Sequence, residues 1–254
     1  MSSSNFSVVI PARFESSRLP GKVLIDLAGK TVLQWVWESA SASNADEVVI
    51  ATDNQKVADV ATAFGADVCM TSSNCYSGTD RVAETCRLRS WSDNRIVVNV
   101  QGDAPLIPPE SIKKVADLLH SHSEASIATL CVALSSEEDY FDPNIVKVIF
   151  DQYGRANYFS RAPIPFEAHN KNIDKSAWTY AYRHLGLYAY KSAALQALSN
   201  SKPSNQEMLE QLEQLRALSL GFDIRIAEDN HEHGPDIDTA DDLERVKTII
   251  AQKS

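Results

Sequence analysis

Short apolar runs alternate with amphipathic segments through the first half of the chain, and this alternation limits the folds it can adopt. Residues 6–10 contain Val8, Val9 and Ile10 in a row, which is typical of a strand buried on both faces. Residues 31–42 place apolar side chains at helical spacing. The same pattern predicts further strands at 47–51, 67–70 and 95–100, and helices at 55–64, 79–88 and 109–120. This alternation of strands and helices predicts an α/β fold, in which helices cover both faces of a parallel sheet.

The second half of the chain has a mixed pattern. It predicts strands at 127–132, 145–150, 156–160, 183–190 and 223–228, a loop at 167–178, and helices at 192–199, 206–218 and 239–250. Within 206–218, Leu209, Leu212 and Leu215 are expected to face the core. Thr239 with Asp242 three residues later resembles a capping box at the start of the last helix. Because no repeat or linker interrupts the pattern, we expect a single domain over residues 1–254, with a smaller, partly antiparallel second half.

The charge balance restricts the partners of the chain. It carries 34 acidic residues against 24 lysines and arginines, a formal net charge of −10. Binding to a phosphate backbone needs a basic face, so nucleic acid is not expected as a partner. No apolar run reaches the roughly 18 residues that span a bilayer, and no basic region precedes an apolar stretch at the N-terminus. We therefore expect a cytoplasmic protein without membrane association.

Cysteine and glycine spacing excludes several kinds of site. No two cysteines form a Cys-x-x-Cys pair, which favours reduced, packed thiols over a zinc or redox site. The glycines are too widely spaced for the Gly-x-Gly-x-x-Gly fingerprint of dinucleotide binding. Gly29, Lys30 and Thr31 resemble the end of a P-loop, but Leu24 stands where its first glycine is required.

The loop after the first strand carries three bases, Arg13, Arg18 and Lys22. In an open α/β sheet, ligands bind at the carboxyl ends of the strands, which is where this loop starts. Loop N–H groups and three cations would suit a triphosphate. A surface loop with solvated bases fits the spacing equally well.

Two aspartates are candidates for a metal site. Asp103 follows the predicted strand at 95–100, and Asp238 precedes the last predicted helix. Mg²⁺ takes a few protein carboxylates together with phosphate oxygens and water. Each aspartate, considered alone, also fits the simpler role of capping a turn or a helix.

Several motifs occur in order along almost the whole chain. They are Ile-Pro-Ala-Arg…Arg-Leu-Pro-Gly-Lys at 10–22, Ala-Thr-Asp at 51–53, Ser-Gly-Thr-Asp-Arg at 77–81, Val-Asn-Val-Gln-Gly-Asp at 98–103, Tyr-Phe-Ser-Arg at 158–161, Arg-His-Leu-Gly-Leu-Tyr at 183–188, Leu-Glu-Gln-Leu-Arg at 212–216 and Asp-Thr at 238–239. The first is shared with nucleotidyltransferases in general, whereas Arg-His-Leu-Gly and Leu-Glu-Gln-Leu-Arg are more specific. In this combination the chain resembles the 3-deoxy-D-manno-octulosonate (Kdo) cytidylyltransferases.

The resemblance implies a Rossmann-like nucleotidyltransferase fold and a magnesium-dependent reaction. CMP would pass from CTP to the anomeric hydroxyl of Kdo, giving pyrophosphate and CMP-Kdo for lipopolysaccharide biosynthesis. The resemblance also implies a homodimer. Residues 1–126 would mainly bind CTP, and residues 127–254 would mainly bind the sugar acid and form the dimer.

Roles for individual residues follow from the same resemblance. Catalysis is assigned to Arg13, Lys22 and Asp103, and Mg²⁺ binding to Asp103 and Asp238. CTP would contact Pro11, Ala12, Arg13, Arg18, Lys22, Ser77, Gly78 and Thr79. The sugar acid would contact Gln101, Arg161, His184, Tyr188, Glu213 and Gln214. A guanidinium pairs with a carboxylate through two hydrogen bonds, so Arg161 would suit the carboxylate of the sugar.

The residues assigned to the sugar acid also fit purely structural roles. His184 lies between apolar residues, as a core histidine would, and Tyr188 lies on the same face of its strand. Glu213 and Gln214 fit the exposed side of a helix. We expect two further pairs of histidines to be solvated, His120 with His122 and His231 with His233.

Two positions depart from the family pattern. Ala104 follows Gln-Gly-Asp where the family usually has Glu, and Asp236 replaces the usual Gly shortly before Asp238. Both changes alter the charge near the predicted metal ligands. They favour the hypothesis that the acceptor is a related sugar acid, such as an 8-amino form of Kdo.

The same residues give less support to two alternative functions. CMP-sialic acid synthetases usually carry a Gly-Ser-Lys pattern in the nucleotide loop, which this chain lacks. A non-catalytic nucleotide-sugar sensor would be expected to lose a loop base or a metal carboxylate. Arg13, Lys22, Asp103 and Asp238 are all present.

Overall fold

The computed structural model describes residues 5–15, 19–168 and 176–253. Its strands are β1 (Phe6–Pro11), β2 (Asp26–Leu27), β3 (Lys30–Thr31), β4 (Glu47–Thr52), β5 (Asp67–Met70), β6 (Ile96–Asn99), β7 (Ile127–Ala133), β8 (Lys147–Phe150), β9 (Ala156–Ser160), β10 (Tyr182–Lys191) and β11 (Ile224–Glu228). Its α-helices are α1 (Val32–Ala42), α2 (Gln55–Ala63), α3 (Gly78–Leu88), α4 (Pro109–Ser121), α5 (Glu137–Phe141), α6 (Ser192–Ser199), α7 (Asn205–Glu210), α8 (Gln214–Ser219) and α9 (Ala240–Lys253). Short 3-10 helices span Lys22–Leu24 and Ala177–Tyr180.

Nine of the described strands form one twisted, mixed sheet. Its order is β11-β7-β10-β6-β1-β4-β5, with β8 pairing to β10 and β9 pairing to β8. β1 runs parallel to β4 and β6, β4 runs parallel to β5, and β11 runs parallel to β7. β10 runs antiparallel to its neighbours β6, β7 and β8. The predicted α/β fold, mostly parallel with an antiparallel part in the second half, is confirmed.

The alternation of side chains along β1 divides the core between the two faces of the sheet. Val8 and Ile10 pack with buried residues of α1, α2 and α4. Val9 points to the other face and packs with residues of α3, α6 and α8. All three side chains are fully buried, so helices cover both faces of this central strand, as its continuous apolar run predicts.

The single helix predicted over 206–218 is wrong. Gln211 adopts a left-handed backbone (φ 55°) and ends α7, and α8 starts again at Gln214. The Gln211 N–H donates to the Glu207 carbonyl at 2.8 Å, which closes the end of α7. Leu209 is consequently 85% exposed instead of lying in the core, whereas Leu212 and Leu215 are 6% and 2% exposed.

The other local predictions have mixed outcomes. The capping box is confirmed, because the Thr239 N–H donates to the Asp242 carboxylate at 2.9 Å and the Asp242 N–H donates to Thr239 Oγ1 at 3.2 Å. The predicted loop at 167–178 includes the start of the second 3-10 helix, while its residues 169–175 lie outside the described residues. The β2–β3 hairpin was not predicted, since each strand has only two residues.

Two findings concern features that the sequence disfavours, namely a zinc or redox site at the cysteines and a membrane span. Cys69, Cys75, Cys86 and Cys131 are free thiols, and burial raises the pKa of Cys86 to about 11 and that of Cys131 to about 12. No helix in the described part of the chain is long and apolar enough to cross a membrane.

The loops that leave β1 and β6 pack backbone against backbone. A Cβ added at Gly102 would lie only 2.9 Å from the Pro11 carbonyl oxygen, so this contact requires glycine. The Val100 N–H donates to the Val9 carbonyl at 3.1 Å, just before the two loops separate. The carboxyl ends of these neighbouring parallel strands therefore open side by side, where ligands bind in such sheets.

Candidate active site

Two adjoining cavities open at the carboxyl ends of β1 and β6. The larger cavity has a volume of about 510 Å³ and the smaller cavity a volume of about 440 Å³. Ser77, Gly78 and Gln101 line both of them. Two molecules bound in the two cavities would therefore meet at this shared wall.

The smaller cavity collects most of the residues that the sequence assigned to a triphosphate and a metal. Pro11, Arg13, Lys22, Asp103 and Asp238 all line it. Arg18 lies outside the described residues. Ala12 lines neither cavity; it is fully buried, and its N–H donates to the Ala51 carbonyl at 2.8 Å.

Lys22 joins the two aspartates. Its ammonium donates to Asp238 Oδ1 at 2.9 Å and also to Asp103 Oδ2. Burial lowers the pKa of Lys22, but the two carboxylates outweigh that effect and the net pKa lies above its ordinary value. The Ile237 N–H donates to the Asp103 carbonyl at 2.8 Å, which brings the late residue Asp238 to the loop after β6.

Arg13 is the second described cation of the smaller cavity. Its guanidinium donates to the carbonyl of Cys75, in the segment that leads to α3. This bond ties the loop after β1 to the start of α3. The smaller cavity thus combines two cations with three carboxylates, because Glu15 lines it together with Asp103 and Asp238.

The N-terminus of α3 lies at the wall that the cavities share. Ser77 caps the helix: its hydroxyl accepts from the Asp80 N–H at 3.0 Å, and its own N–H donates to the Asp80 carboxylate at 3.0 Å. Arg81, fully buried, donates to the Asp53 carboxylate at 2.9 Å and anchors the helix to the loop after β4. The positive end of a fixed helix dipole is favourable for an anion.

His184 and Tyr188 form one wall of the larger cavity, with ring centroids 5.2 Å apart. Burial, with a smaller contribution from the Arg183 charge, lowers the pKa of His184 to about 3, so the imidazole is neutral at neutral pH. Its Nε2 lies 2.9 Å from Thr129 Oγ1, whose single proton is directed to the carbonyls of Leu185 and Leu187. Nε2 must therefore carry the proton, which leaves Nδ1 as a hydrogen-bond acceptor.

Tyr188 has a hydroxyl that is buried but has no hydrogen-bond partner among the described residues. Burial raises the pKa of this phenol well above its ordinary value, so it remains a proton donor. An unpaired buried hydroxyl costs about 1–3 kcal/mol. Since the residue lines the larger cavity, a polar ligand bound there would supply the missing partner.

Glu213 and Gln214 line the larger cavity and do not lie on an exposed helix face. Burial raises the pKa of Glu213, opposed by hydrogen bonds from the hydroxyls of Thr79 and Ser77. The helix break at Gln211 explains the placement, because it turns Glu213 toward α3 while its neighbour Leu212 remains in the core.

Arg161 lines neither cavity. Its guanidinium donates to the Glu210 carbonyl at 2.8 Å and to the Pro143 carbonyl at 2.9 Å, which ties β9 to α7. The arginine that does line the larger cavity is Arg183, beside His184 on β10. Sequence reasoning missed Arg183 although it begins the Arg-His-Leu-Gly motif.

Further residues of the larger cavity were also missed. Asn99 lines it together with Gln101, and their spacing of two along an extended segment could have revealed this. Ala104 and Asp236, the two departures from the family pattern, both line it. Desolvation within the cavity and the charges of Asp103 and Asp238 raise the pKa of Asp236 to about 7, although part of the residue remains exposed.

The expectation of solvated histidines is wrong for His233, whereas His231 is exposed as expected but is also bound to a buried carboxylate. His231 Nδ1 lies 2.8 Å and His233 Nε2 lies 2.7 Å from the carboxylate of the buried Asp229. His233 also lines the larger cavity. In the other pair, His122 Nδ1 lies 2.9 Å from the Leu118 carbonyl, while His120 is exposed as expected.

Comparison with known proteins gives consistent results. A family model described as cytidylyltransferase matches residues 7–226. A 3-deoxy-manno-octulosonate cytidylyltransferase of Vibrio vulnificus (strain YJ016) is 48% identical over 254 residues, covering 98% of this chain and 100% of the relative. One of Nitrosococcus oceani is 46% identical over 251 residues, covering 97% of this chain and 96% of the relative.

Solved structures agree with these relatives. A CMP:2-keto-3-deoxy-manno-octonic acid synthetase complexed with CTP superposes with a TM-score of 0.90 at 38% identity, covering 99% of this chain and 100% of that one. A cytidylyltransferase of Leptospira borgpetersenii shares the fold, with a TM-score of 0.64 at 18% identity over 98% of this chain and 87% of that one. The resemblance drawn from the sequence motifs is confirmed.

Proposed function

This chain belongs to the 3-deoxy-manno-octulosonate cytidylyltransferase family, and on that premise we propose that it transfers CMP from CTP to the anomeric hydroxyl of Kdo. The products are CMP-Kdo, an intermediate of lipopolysaccharide biosynthesis, and pyrophosphate. The observation that carries the proposal is the pair of cavities with a shared wall at Ser77, Gly78 and Gln101. Such a wall suits two substrates that must react with each other.

The smaller cavity is the proposed site of the triphosphate. Arg13 and Lys22 line it and offer positive charge to phosphate oxygens. The capped N-terminus of α3 adds the positive end of a helix dipole. Ser77 and Gly78 line both cavities and Thr79 lines the larger cavity beside them, so these three residues would then contact the nucleoside.

Asp103 and Asp238 have the right chemistry for a magnesium ion. Both are carboxylates, and together they outnumber the single ammonium of Lys22 that lies between them. Among the described residues no group of three or more His, Cys, Asp or Glu side chains is arranged to hold a metal ion, which suits an ion that takes most of its ligands from phosphate and water. A bound Mg²⁺ would supply charge neutralisation of the phosphates.

The larger cavity is the proposed site of the sugar acid. His184 offers an acceptor at Nδ1, and the Tyr188 hydroxyl offers a donor, so both would bind sugar hydroxyls. Gln101, Glu213 and Gln214 are further polar residues of the lining. Arg183 is the described cation of this cavity, and we assign to it the sugar carboxylate that the sequence assigned to Arg161.

In the proposed reaction the anomeric oxygen attacks the α-phosphorus of CTP. A new phosphorus–oxygen bond forms, and the bond from the α-phosphorus to the oxygen bridging to the β-phosphate breaks, so that pyrophosphate leaves. The anomeric hydroxyl gives up its proton to water. Lys22 and Arg13 would hold the phosphates and offset the charge that develops on them. The shared wall would align the two substrates.

Asp236 favours a second candidate acceptor, an 8-amino form of Kdo. Its carboxylate lines the larger cavity and forms no salt bridge with any described residue. A carboxylate in that position would attract an ammonium group on the acceptor and gives no such advantage to a hydroxyl. A competition assay with both sugars tests this: equal or better use of plain Kdo rejects the amino sugar as preferred acceptor.

We also propose a homodimer, located in the cytoplasm. Phe141, Phe166 and Tyr180 are exposed aromatic residues, and Phe166 is 86% exposed. The first two line a small groove with Trp178, a surface that a second copy would cover. Sedimentation at increasing concentration should show dimers that Phe166→Asp weakens, and a monomeric wild type would reject the dimer.

The proposed location is supported by the use of CTP, a cytoplasmic nucleotide.

The decisive assay measures pyrophosphate release from CTP, Mg²⁺ and Kdo, with Asp103→Asn as the control. We expect release that requires all three components and that the variant loses. CTP binding without release would favour another sugar acid or a nucleotide-sugar sensor. Absence of CTP binding would reject the assignment of the smaller cavity.

A further inference from the structure

Asp229 is a buried carboxylate that lies behind the wall of the larger cavity. It follows β11, and its N–H donates to the Cys131 carbonyl of β7 at 2.7 Å. Its side chain accepts from the Ser111 hydroxyl of α4 and lies 3.4 Å from Lys114 Nζ. His231 and His233 complete its partners at 2.8 and 2.7 Å.

These contacts keep Asp229 ionised. Burial raises the pKa of this carboxyl, but the hydrogen bonds from Ser111, His233 and His231 outweigh it, so the pKa lies well below its usual range. A buried carboxylate that accepts from both α4 and the segment 231–233 is fixed in place.

Asp229 in turn orients His233. An ionised carboxylate can only accept, so the His233 Nε2 that faces it must carry a proton. Nδ1 has no partner among the residues described and is therefore left for a ligand. The ring lines the larger cavity with His184 and Tyr188, whereas His231, on the other carboxylate oxygen, does not line it.

The backbone that follows His233 is also held in place. A Cβ at Gly234 would lie 2.4 Å from Leu106 Cδ1, so the chain is pressed against the loop after β6. Ile237 is fully buried and bonds to the Asp103 carbonyl at 2.8 Å. The imidazole is thus held between two fixed points of the segment 229–238.

We propose that His233 binds a hydroxyl of the sugar acid through Nδ1 and that Asp229 is its positioning residue. The inference rests on the proposed function, since it adds a contact to the acceptor in the larger cavity. His233 would be a specificity-determining residue, and Asp229 would act only through it.

The test compares His233→Ala with His231→Ala, which removes the other imidazole on Asp229 without touching the larger cavity. Loss of one hydrogen bond raises the KM for the acceptor about tenfold. We expect that rise in His233→Ala, with the KM for CTP within about twofold of wild type. His231→Ala should leave both KM values within about twofold. Thermal melting checks that each variant is folded.

Asp229→Asn tests the positioning role. It should raise the KM for the acceptor in the wild-type background but add almost nothing in the His233→Ala background, because coupled residues are not additive. Equal effects in both backgrounds would overturn the positioning role. An unchanged acceptor KM in folded His233→Ala would overturn the contact itself, whereas a wild type that forms no CMP-sugar would refute the proposed function instead.

Discussion

Lys22 and Asp238 stand 216 positions apart in the chain, yet the Lys22 ammonium donates a 2.9 Å hydrogen bond to the Asp238 carboxylate. Asp103 binds the same ammonium from a third part of the chain. Three parts of the chain therefore meet at the charge of Lys22: the loop after β1, the loop after β6 and the segment before α9. The geometry of the smaller cavity depends on all three.

Replacing Lys22 by methionine should reduce pyrophosphate release at least about hundredfold. The variant keeps most of the side-chain volume but removes the charge that would offset the phosphates, and removing a single charge-stabilising group of this kind typically costs that much. Lys30→Met is the matched control, since Lys30 pairs with Glu38 at the surface. Comparable losses in both variants would contradict the role of Lys22.

Asp236→Asn should change the choice of acceptor. The ratio of kcat/KM for 8-amino-Kdo to kcat/KM for Kdo should fall about tenfold, because a charge-assisted contact of about 1.4 kcal/mol is lost. Glu232→Gln removes the same charge from an exposed neighbouring position and should leave the ratio unchanged. A constant ratio in Asp236→Asn would mean that this carboxylate does not select the acceptor.

The break at Gln211 predicts unequal costs for two leucines. Leu212→Ala should reduce the free energy of unfolding by about 2–4 kcal/mol, because it leaves a cavity in the core. Leu209→Ala should change it by less than about 0.5 kcal/mol, because that side chain is exposed. Urea denaturation measures both values. Similar costs would instead support one continuous amphipathic helix.

His184 should make stability depend on pH. Its pKa is about 3 in the folded protein against 6.5 for an ordinary histidine, so between these values the unfolded chain binds more protons. Stability is therefore complete above about pH 6.5 and is lost as the pH falls, by up to about 1.4 kcal/mol per pH unit for one proton.

The matching experiment is urea denaturation of the wild type and His184→Gln at pH 7, 6 and 5. Glutamine can still bond to Thr129 but does not titrate in this range, so the variant should lose stability less steeply. Parallel pH profiles would show that the buried imidazole is not responsible.

Local sequence patterns were sufficient to predict most of the fold. The run of Val8, Val9 and Ile10 identified a strand covered on both faces, and Thr239 with Asp242 identified a helix start. The helix over 206–218 failed because a left-handed Gln211 carries no strong signal of its own in a sequence of good helix formers.

Much of the candidate site could be assembled from motifs, but contacts between distant segments could not. Nothing in the sequence shows that His233 bonds to Asp229 rather than to water, since the burial of that carboxylate depends on α4. Arg161 illustrates the reverse case. A guanidinium suits a carboxylate ligand, yet the fold uses this one to bind two backbone carbonyls.

The wall shared by the two cavities has a consequence for how the substrates bind. Any shift of Gln101 or Ser77 on filling one cavity alters the surface of the other. The two binding equilibria are then linked, and thermodynamic reciprocity requires each substrate to change the affinity of the other by the same factor.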